Sequence, residues 1–235
     1  MSDLPGNLAS SELGVISAAS VTELVYRRLQ AQILAGLAPG LPLRLNEISG
    51  ELGVSTTPVR MALERLAADG LVVLAGRKGA RVAPLSLTDF RDIYAVRRAL
   101  EAAAARLGAE LLTDTNLAEM SQLLVKCDRI ATSPDPEVDS YLRLEWAMHE
   151  ICYRATGHQR LFKEIRAYRR QAERYFRLVL LDSSNLTEDF EHQHAFLEAC
   201  ARRSPADSEG MARLLLDWTV ERVAPLIQCA SGPDE

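Results

Sequence analysis

Long hydrophobic runs are missing from this chain of 235 residues: no uninterrupted apolar stretch reaches the ~18 residues that a membrane-spanning helix needs. The opening MSDLPGNLASSELGVISAAS lacks the basic start and compact apolar core of a secretory signal, so residues 1–19 read as a flexible leader. The four cysteines, Cys127, Cys152, Cys200 and Cys229, form no CxxC pair, which removes zinc knuckles and dithiol redox motifs. They read as reduced thiols packed in helices. The four histidines, His149, His158, His192 and His194, come with no nucleophile motif and no dense His/Asp cluster. Together these absences predict a cytoplasmic chain with no membrane partner and no catalytic centre. A metal-dependent hydrolase would need a full metal shell and a general base, and the chain supplies neither.

What is present is ordinary globular material, 48% hydrophobic and 25% charged, enough for a small domain followed by a larger one. The net charge of -5 hides an asymmetry. Residues 20–84 hold eight Arg and Lys against five acids, whereas the rest of the chain is acidic. A local positive field matters more to phosphates than the total does.

The first 65 residues after the leader have the rhythm of three short helices and a hairpin. Ser20 and Glu23 have the spacing of a capping box, and Leu24, Val25, Leu29 and Ile33 continue at helical period until Gly36. Leu37–Leu43 reads as a turn. Asn46 can cap a second helix ended by Gly53, and Ser55 or Thr57 a third, with Pro58 tolerated in its first turn and Gly70 at its close. Leu71–Ala75 and Ala80–Ala83 read as paired strands around the turn GRKG. From Ser86 onward the pattern changes to long amphipathic helices, roughly 88–110, 114–131, 137–156, 159–182, 187–203 and 206–229. The expected fold is therefore mainly α: a winged helix-turn-helix at 20–84 with a small β-hairpin, an all-α bundle at 85–230, and a tail at 231–235.

Two helices joined through LGVS, the second polar outside, have the form of a helix-turn-helix, whose second helix enters the major groove. Arg60 lies near the start of that helix, where a guanidinium can pair bidentately with guanine. Its alternative partner is Glu64, four residues on. Ser55, Thr56 and Thr57 offer hydroxyls and free N–H groups to a phosphate at the helix start. Arg44 is a further candidate contact, and Arg77 and Lys78 occupy a hairpin tip suited to the minor groove.

These residues carry a resemblance. The stretch from VYRRLQAQIL to GRKGARV, with PG, LNE, LGVS, TPVR, DGL and the GRKG turn, resembles the winged-helix domain of the GntR family of bacterial transcription regulators. The resemblance implies DNA-contacting roles at Arg44, Arg60 and the wing tip around Lys78 and Gly79. Thr56 stands where the family commonly has arginine and Met61 where it usually has glutamate, so the operator read by this chain is expected to differ.

In the second domain, Val96, Leu100, Ala104 and Leu107 fall on one face of the first helix, and Arg97 falls with them while Arg98 points away. A buried arginine needs an anion: Glu101 at i+4 or a ligand carboxylate. On the helix from 137, Glu145 and His149 share the apolar face of Val138, Tyr141, Leu142, Met148 and Cys152, a spacing that can hold a divalent cation. His192 or His194 is a candidate third ligand, but they lie about 200° apart around their helix and cannot both face inward.

The segments IYAVRRALEAAAARLGAEL, EWAMHEICYRATGHQRL and EHQHAFLEACARR are similar to the effector domain, called FCD, of the FadR branch of GntR regulators. That resemblance implies an inward-facing helical bundle binding a small organic acid, with effector contacts at Arg97, Glu145, His149 and His194. It also implies a metal such as zinc, held by an acid and a histidine four apart and two later histidines. Here Gln193 falls at the first later position, between His192 and His194, and Trp218 or Thr219 at the last. Either a cation is held by Glu145, His149 and one of His192 and His194, or the pocket works without metal. The expected function is a homodimeric, ligand-responsive regulator that binds double-stranded operator DNA. An architectural DNA-binding dimer without effector is the first alternative and a metal-dependent helical hydrolase the second, and repression or activation stays open.

Overall fold

The computed structural model describes residues 18–34, 36–76, 79–180 and 183–231, with side chains described over 21–34, 36–76, 79–176 and 185–228. Residues 1–17, Arg77, Lys78, the Cys229 side chain and the tail beyond residue 231 lie outside the described residues.

The head is built from α1 (Ala18–Leu34), β1 (Pro42–Arg44), α2 (Leu45–Leu52), α3 (Thr56–Ala68), β2 (Val72–Leu74) and β3 (Gly79–Val82). Its core is one cluster in which Val25, Leu29 and Ile33 of α1 meet Val59, Leu63 and Leu66 of α3 and Val72, Ala80 and Val82 of the sheet. Three expectations need correction. Ser20 lies inside α1 and does not cap it, because the helix already runs from Ala18. Asn46 is likewise inside its helix: the N-cap of α2 is Arg44, without a side-chain cap. The segment expected as a turn before α2 contains a strand, β1, so the wing is a three-stranded antiparallel sheet in the order β1-β3-β2. Proline and glycine marked the turn but hid the short extended run PLR, which forms only because β3 offers it a partner.

Gly79 shows how tightly that third strand fits. It pairs with Arg44 across β1 and β3, has φ of 126°, and a Cβ placed there would lie 2.2 Å from the Leu43 carbonyl oxygen. Only glycine allows this backbone approach. Gly79 is thus buried against β1, and its close approach to Leu43 gives it a structural role in the wing.

Among the described residues the second domain has six helices: α4 (Leu87–Ala109), α5 (Asp114–Ala131), α6 (Val138–Ala155), α7 (Gln159–Leu180), α8 (Ser183–Ala201) and α9 (Pro205–Ser231). Ser86 caps α4 by accepting from the Asp89 amide, and Thr113 caps α5 in a reciprocal capping box with Asn116. A second core joins all six, with Phe90, Tyr94, Met120, Tyr141, Met148, Ile165, Tyr175, Phe196 and Ile227 among its buried members. α4 lies along α9, and α5 lies along α6 and α8. α8 begins earlier than its hydrophobic pattern suggested. Leu107, expected on the apolar face of α4, is 44% exposed, because the buried stripe runs instead through Arg97, Glu101, Ala104 and Gly108. Cys127, Cys152 and Cys200 are free and buried, as expected of packed thiols. Among the described residues no helix is long and apolar enough to cross a membrane.

The two units touch through α7. Arg170 Nε reaches Asp69 Oδ1 at 3.2 Å, and Tyr26 of α1 donates its hydroxyl to Asp69 Oδ2 at 2.6 Å. Arg174 donates to the Ala83 carbonyl and to Asp89, and the Tyr175 hydroxyl lies 2.9 Å from Asp89. Asp69 closes α3, so the end of that helix is tied directly to the second domain.

Candidate functional site

The surface formed by the start of α3 is open and polar. Ser55 is the N-cap of α3 and makes no side-chain cap bond, and Ser55, Thr56, Thr57 and Arg60 are all exposed. Their hydroxyls and the first-turn N–H groups therefore face water, at the end where the helix dipole favours an anion. Arg60 makes no ion pair among the described residues, so the Glu64 alternative is not realised. Arg44 is exposed and paired with Glu47 at 2.8 Å. Arg65 instead pairs with Glu23 and lies 3.9 Å over the Tyr26 ring, which places it in the head's own packing. The expected DNA contacts Arg77 and Lys78, between β2 and β3 in the sequence, lie outside the described residues.

The second site is a cavity inside the helical domain, of about 20 Å³, lined by Tyr94, Arg97, Glu101, Glu145, His149 and Tyr153 together with Asp189, Gln193 and Thr219. Arg97 and Glu101 are both buried, and Arg97 Nε donates to Glu101 Oε1 at 2.6 Å. The in-helix partner therefore takes this arginine. Glu145 is held from outside the lining by Arg169, whose Nη2 donates to Oε2 at 2.8 Å, while Oε1 lies 3.5 Å from His149 Nε2. Burial pushes the His149 imidazole below its ordinary value, with the Glu145 charge opposing that shift. Asp189 accepts from the Tyr141 hydroxyl at 2.7 Å, and burial, reinforced by the Glu145 charge, raises its carboxyl to about 7.

Gln193 is the member that decides how the site can work. Its Nε2 faces both Asp189 oxygens at 3.4 Å, which turns its Oε1 toward His149 Nε2 at 2.7 Å. With the amide oxygen turned toward it, Nε2 of His149 is the donor in this contact and faces an amide where a metal site would offer an imidazole or a carboxylate. The carboxylate partner, Glu145, is already engaged by a guanidinium, and the amide of Gln193 is a weak neutral donor. Among the described residues no group of three or more His, Cys, Asp or Glu side chains is placed to share a metal ion. The donor set does not fit a divalent cation.

His194 does not reach this cavity. It is exposed, edge-on to Phe190 at 4.5 Å between ring centroids. His192 turns toward α9, 5.6 Å from the Trp218 ring. The inward residue between them is Gln193, and Leu186, Asp189, Gln193, Phe196 and Cys200 form one buried stripe at alternating spacings of three and four. Asp189 was the missed member of that stripe, and this spacing was the signal that marks it. Arg169 was missed as well, since it sits among several arginines of α7 and only packing separates it from them. Tyr94 and Tyr153 look like plain core residues in sequence, yet both hydroxyls point into polar surroundings, and that of Tyr94 has no hydrogen-bond partner among the described residues.

Comparison with known proteins agrees with this two-part architecture. Residues 21–82 match the family described as bacterial regulatory proteins, gntR family, and residues 92–217 match the FCD domain. The HTH-type transcriptional repressor RspR of Escherichia coli is 33% identical over 132 residues, 56% of this chain and 57% of RspR, so the chain spans little more than half the length of that relative. The HTH-type transcriptional regulator McbR of Escherichia coli is 27% identical over 92% of this chain and 96% of McbR. The solved structure of E. coli McbR/YncC superposes with a TM-score of 0.77 at 22% identity, covering 89% of this chain and 99% of that one, which shows a shared fold. With an FCD match covering more than half of its length, this chain belongs to the gntR family of bacterial regulatory proteins, in the arrangement that joins the DNA-binding head to an FCD domain.

Proposed function

We propose that the protein is a metal-free transcription regulator of the FadR type that binds operator DNA as a homodimer in the cytoplasm and answers to a small organic acid. The observation that carries the effector part is the polar cavity itself: buried charges and an unpartnered Tyr94 hydroxyl in the middle of an otherwise apolar bundle. Such groups cost free energy unless a ligand or a switch uses them. The buried Nη1 of Arg169 also lacks a partner, so a second donor waits behind Glu145.

The cavity has room for about one water. An organic acid can therefore enter only if the surrounding helices part, which ties binding to a change of shape. Because Arg169 and Arg170 are neighbours on α7, a shift of that helix moves the Asp69 contact with the head at the same time. Dimerisation is supported by Leu107, Leu111 and Leu214, which stand 41% to 56% exposed along the adjoining ends of α4 and α9. Two heads on one dimer suit an inverted repeat with half-sites about one turn apart. Repression is the direction favoured by the name of the relative RspR.

Selection of bound fragments from random duplex DNA tests this reading. An inverted-repeat consensus, with affinity that changes when a panel of small carboxylic acids is added, is the expected result. An unenriched pool removes the regulator reading. A consensus with no response to any acid removes the effector and leaves an architectural dimer, and a response that Tyr94→Phe leaves unchanged takes the Tyr94 hydroxyl out of the effector site.

A further inference from the structure

A second polar site lies on the outside of the helical domain, where α6 ends and α7 begins. There an open groove of about 680 Å³ is lined by Arg154, Phe162, Lys163, Arg166 and Arg170. Its α7 members recur every three or four residues, so they form one face of that helix. Arg154 and Arg166 both hold their guanidinium groups against the Phe162 ring, at 4.8 and 5.8 Å from its centroid. Four cations line the groove, and among the described residues two of them have a carboxylate partner. Glu150 lies 3.7 Å from Arg166, and Asp69 lies 3.2 Å from Arg170, whereas Arg154 and Lys163 have no ion-pair partner among the described residues. Like charges brought this close repel, and an anion with several charges relieves that repulsion.

We infer that this groove binds a small phosphate-bearing anion, and that the anion competes with Asp69 of the DNA head for Arg170. Guanidinium forks match phosphate oxygens in pairs, and the groove is of the size that takes small ligands. The phosphates of operator DNA are the other source of the same chemistry, and the geometry disfavours them. Asp69 caps the far end of α3, about 20 Å along the helix axis from the Ser55 end that would meet a duplex. The groove beside Asp69 therefore sits away from the reading surface. Asp69 is buried and also receives the Tyr26 hydroxyl, so drawing Arg170 away loosens a contact that joins α1, α3 and α7. The inference stands on the groove alone and does not depend on the organic-acid reading of the inner cavity.

The test is calorimetric titration of the full-length chain with inorganic pyrophosphate at about 0.15 M salt, where loose surface attraction is largely screened. The expected result is one pyrophosphate per chain, with affinity on the order of tenfold weaker or worse in the Arg154→Ala/Lys163→Ala double variant. Both residues lie in the groove without ion pairs, and an unchanged melting curve in the double variant verifies its fold. Hydrogen exchange at residues 66–71 should rise when pyrophosphate is present, through the loss of the Asp69 contact. No binding, several weak ions per chain, or equal binding by the double variant overturns the site. Binding without any change in exchange overturns the competition for Arg170. A double variant that loses affinity for random duplex DNA while keeping pyrophosphate would make the groove a DNA-backbone site and end the proposal.

Discussion

The two domains put the same residue to opposite uses. In the head, Arg60 stands exposed beside the open N-terminus of α3 and has no ion-pair partner among the described residues, so its charge is available to whatever approaches. In the helical domain, Arg97 and Arg169 are 6% exposed and locked onto Glu101 and Glu145. The difference lies in desolvation. An arginine in water can be removed with little consequence for folding, whereas a buried one that loses its carboxylate leaves an uncompensated charge. The head therefore exposes charged groups that stability does not need, while the cavity is built from charged groups on which stability depends.

Removing a cavity partner should give the largest effect. Glu145→Ala strands Arg169 in the core and is expected to destabilise the protein by about 3–5 kcal/mol, measured by urea denaturation of the full-length chain. A loss below about 1 kcal/mol would mean that water reaches Arg169 and that the contrast between the domains is overstated. The cavity should also make stability depend on pH. Asp189 is held at about 7 against an ordinary 3.8, among Tyr141, Gln193, Glu145 and Arg169. An acid whose folded value is raised takes up a proton on folding, so its contribution is fullest below the ordinary value and is lost as pH rises toward 7. In Asp189→Asn that decline between about pH 4 and 7 should flatten in thermal melts. A slope equal to wild type would place the titration on another group.

In the head the effects should fall on binding. Arg60→Ala is expected to weaken selected-site DNA binding by about 1–3 kcal/mol and to relax base preference at one position, with the melting temperature unchanged. Equal affinity for the selected site would remove Arg60 from base reading. The smallest effect belongs to the exposed Arg44 and Glu47 pair: Glu47→Ala should cost well under about 1 kcal/mol in stability while freeing Arg44 for phosphate. Stronger DNA binding by that variant at low salt would sharpen the contrast, and weaker binding would show that Glu47 orients Arg44 productively.

Legibility in the sequence follows the same division. Head features depend on local order: the helix-turn-helix spacing, Pro58 in the first turn of α3 and the exposed Ser-Thr-Thr start could all be read along the chain. The strand PLR could not, because its extended form exists only through pairing with β3 and the backbone approach at Gly79. In the bundle, the helices and the inward positions of Arg97, Glu145 and His149 followed from hydrophobic period. The expected third partner did not. Reading His192 and His194 as the polar candidates passed over Gln193 and Asp189, whose three-and-four spacing with Leu186, Phe196 and Cys200 marks them as the buried side.

By itself the sequence determined the division into a basic head and an acidic helical domain, the order of the helices, and which charged residues of α4 and α6 turn inward. These depend on periodicity and capping, which act over a few residues. Tertiary structure decided which charges meet: Arg97 with Glu101, Arg169 with Glu145, Arg170 with Asp69, and Gln193 between His149 and Asp189. Partners from different helices are chosen by how those helices pack, and a one-residue rotation of α8 would have exchanged Gln193 for a histidine at the cavity wall.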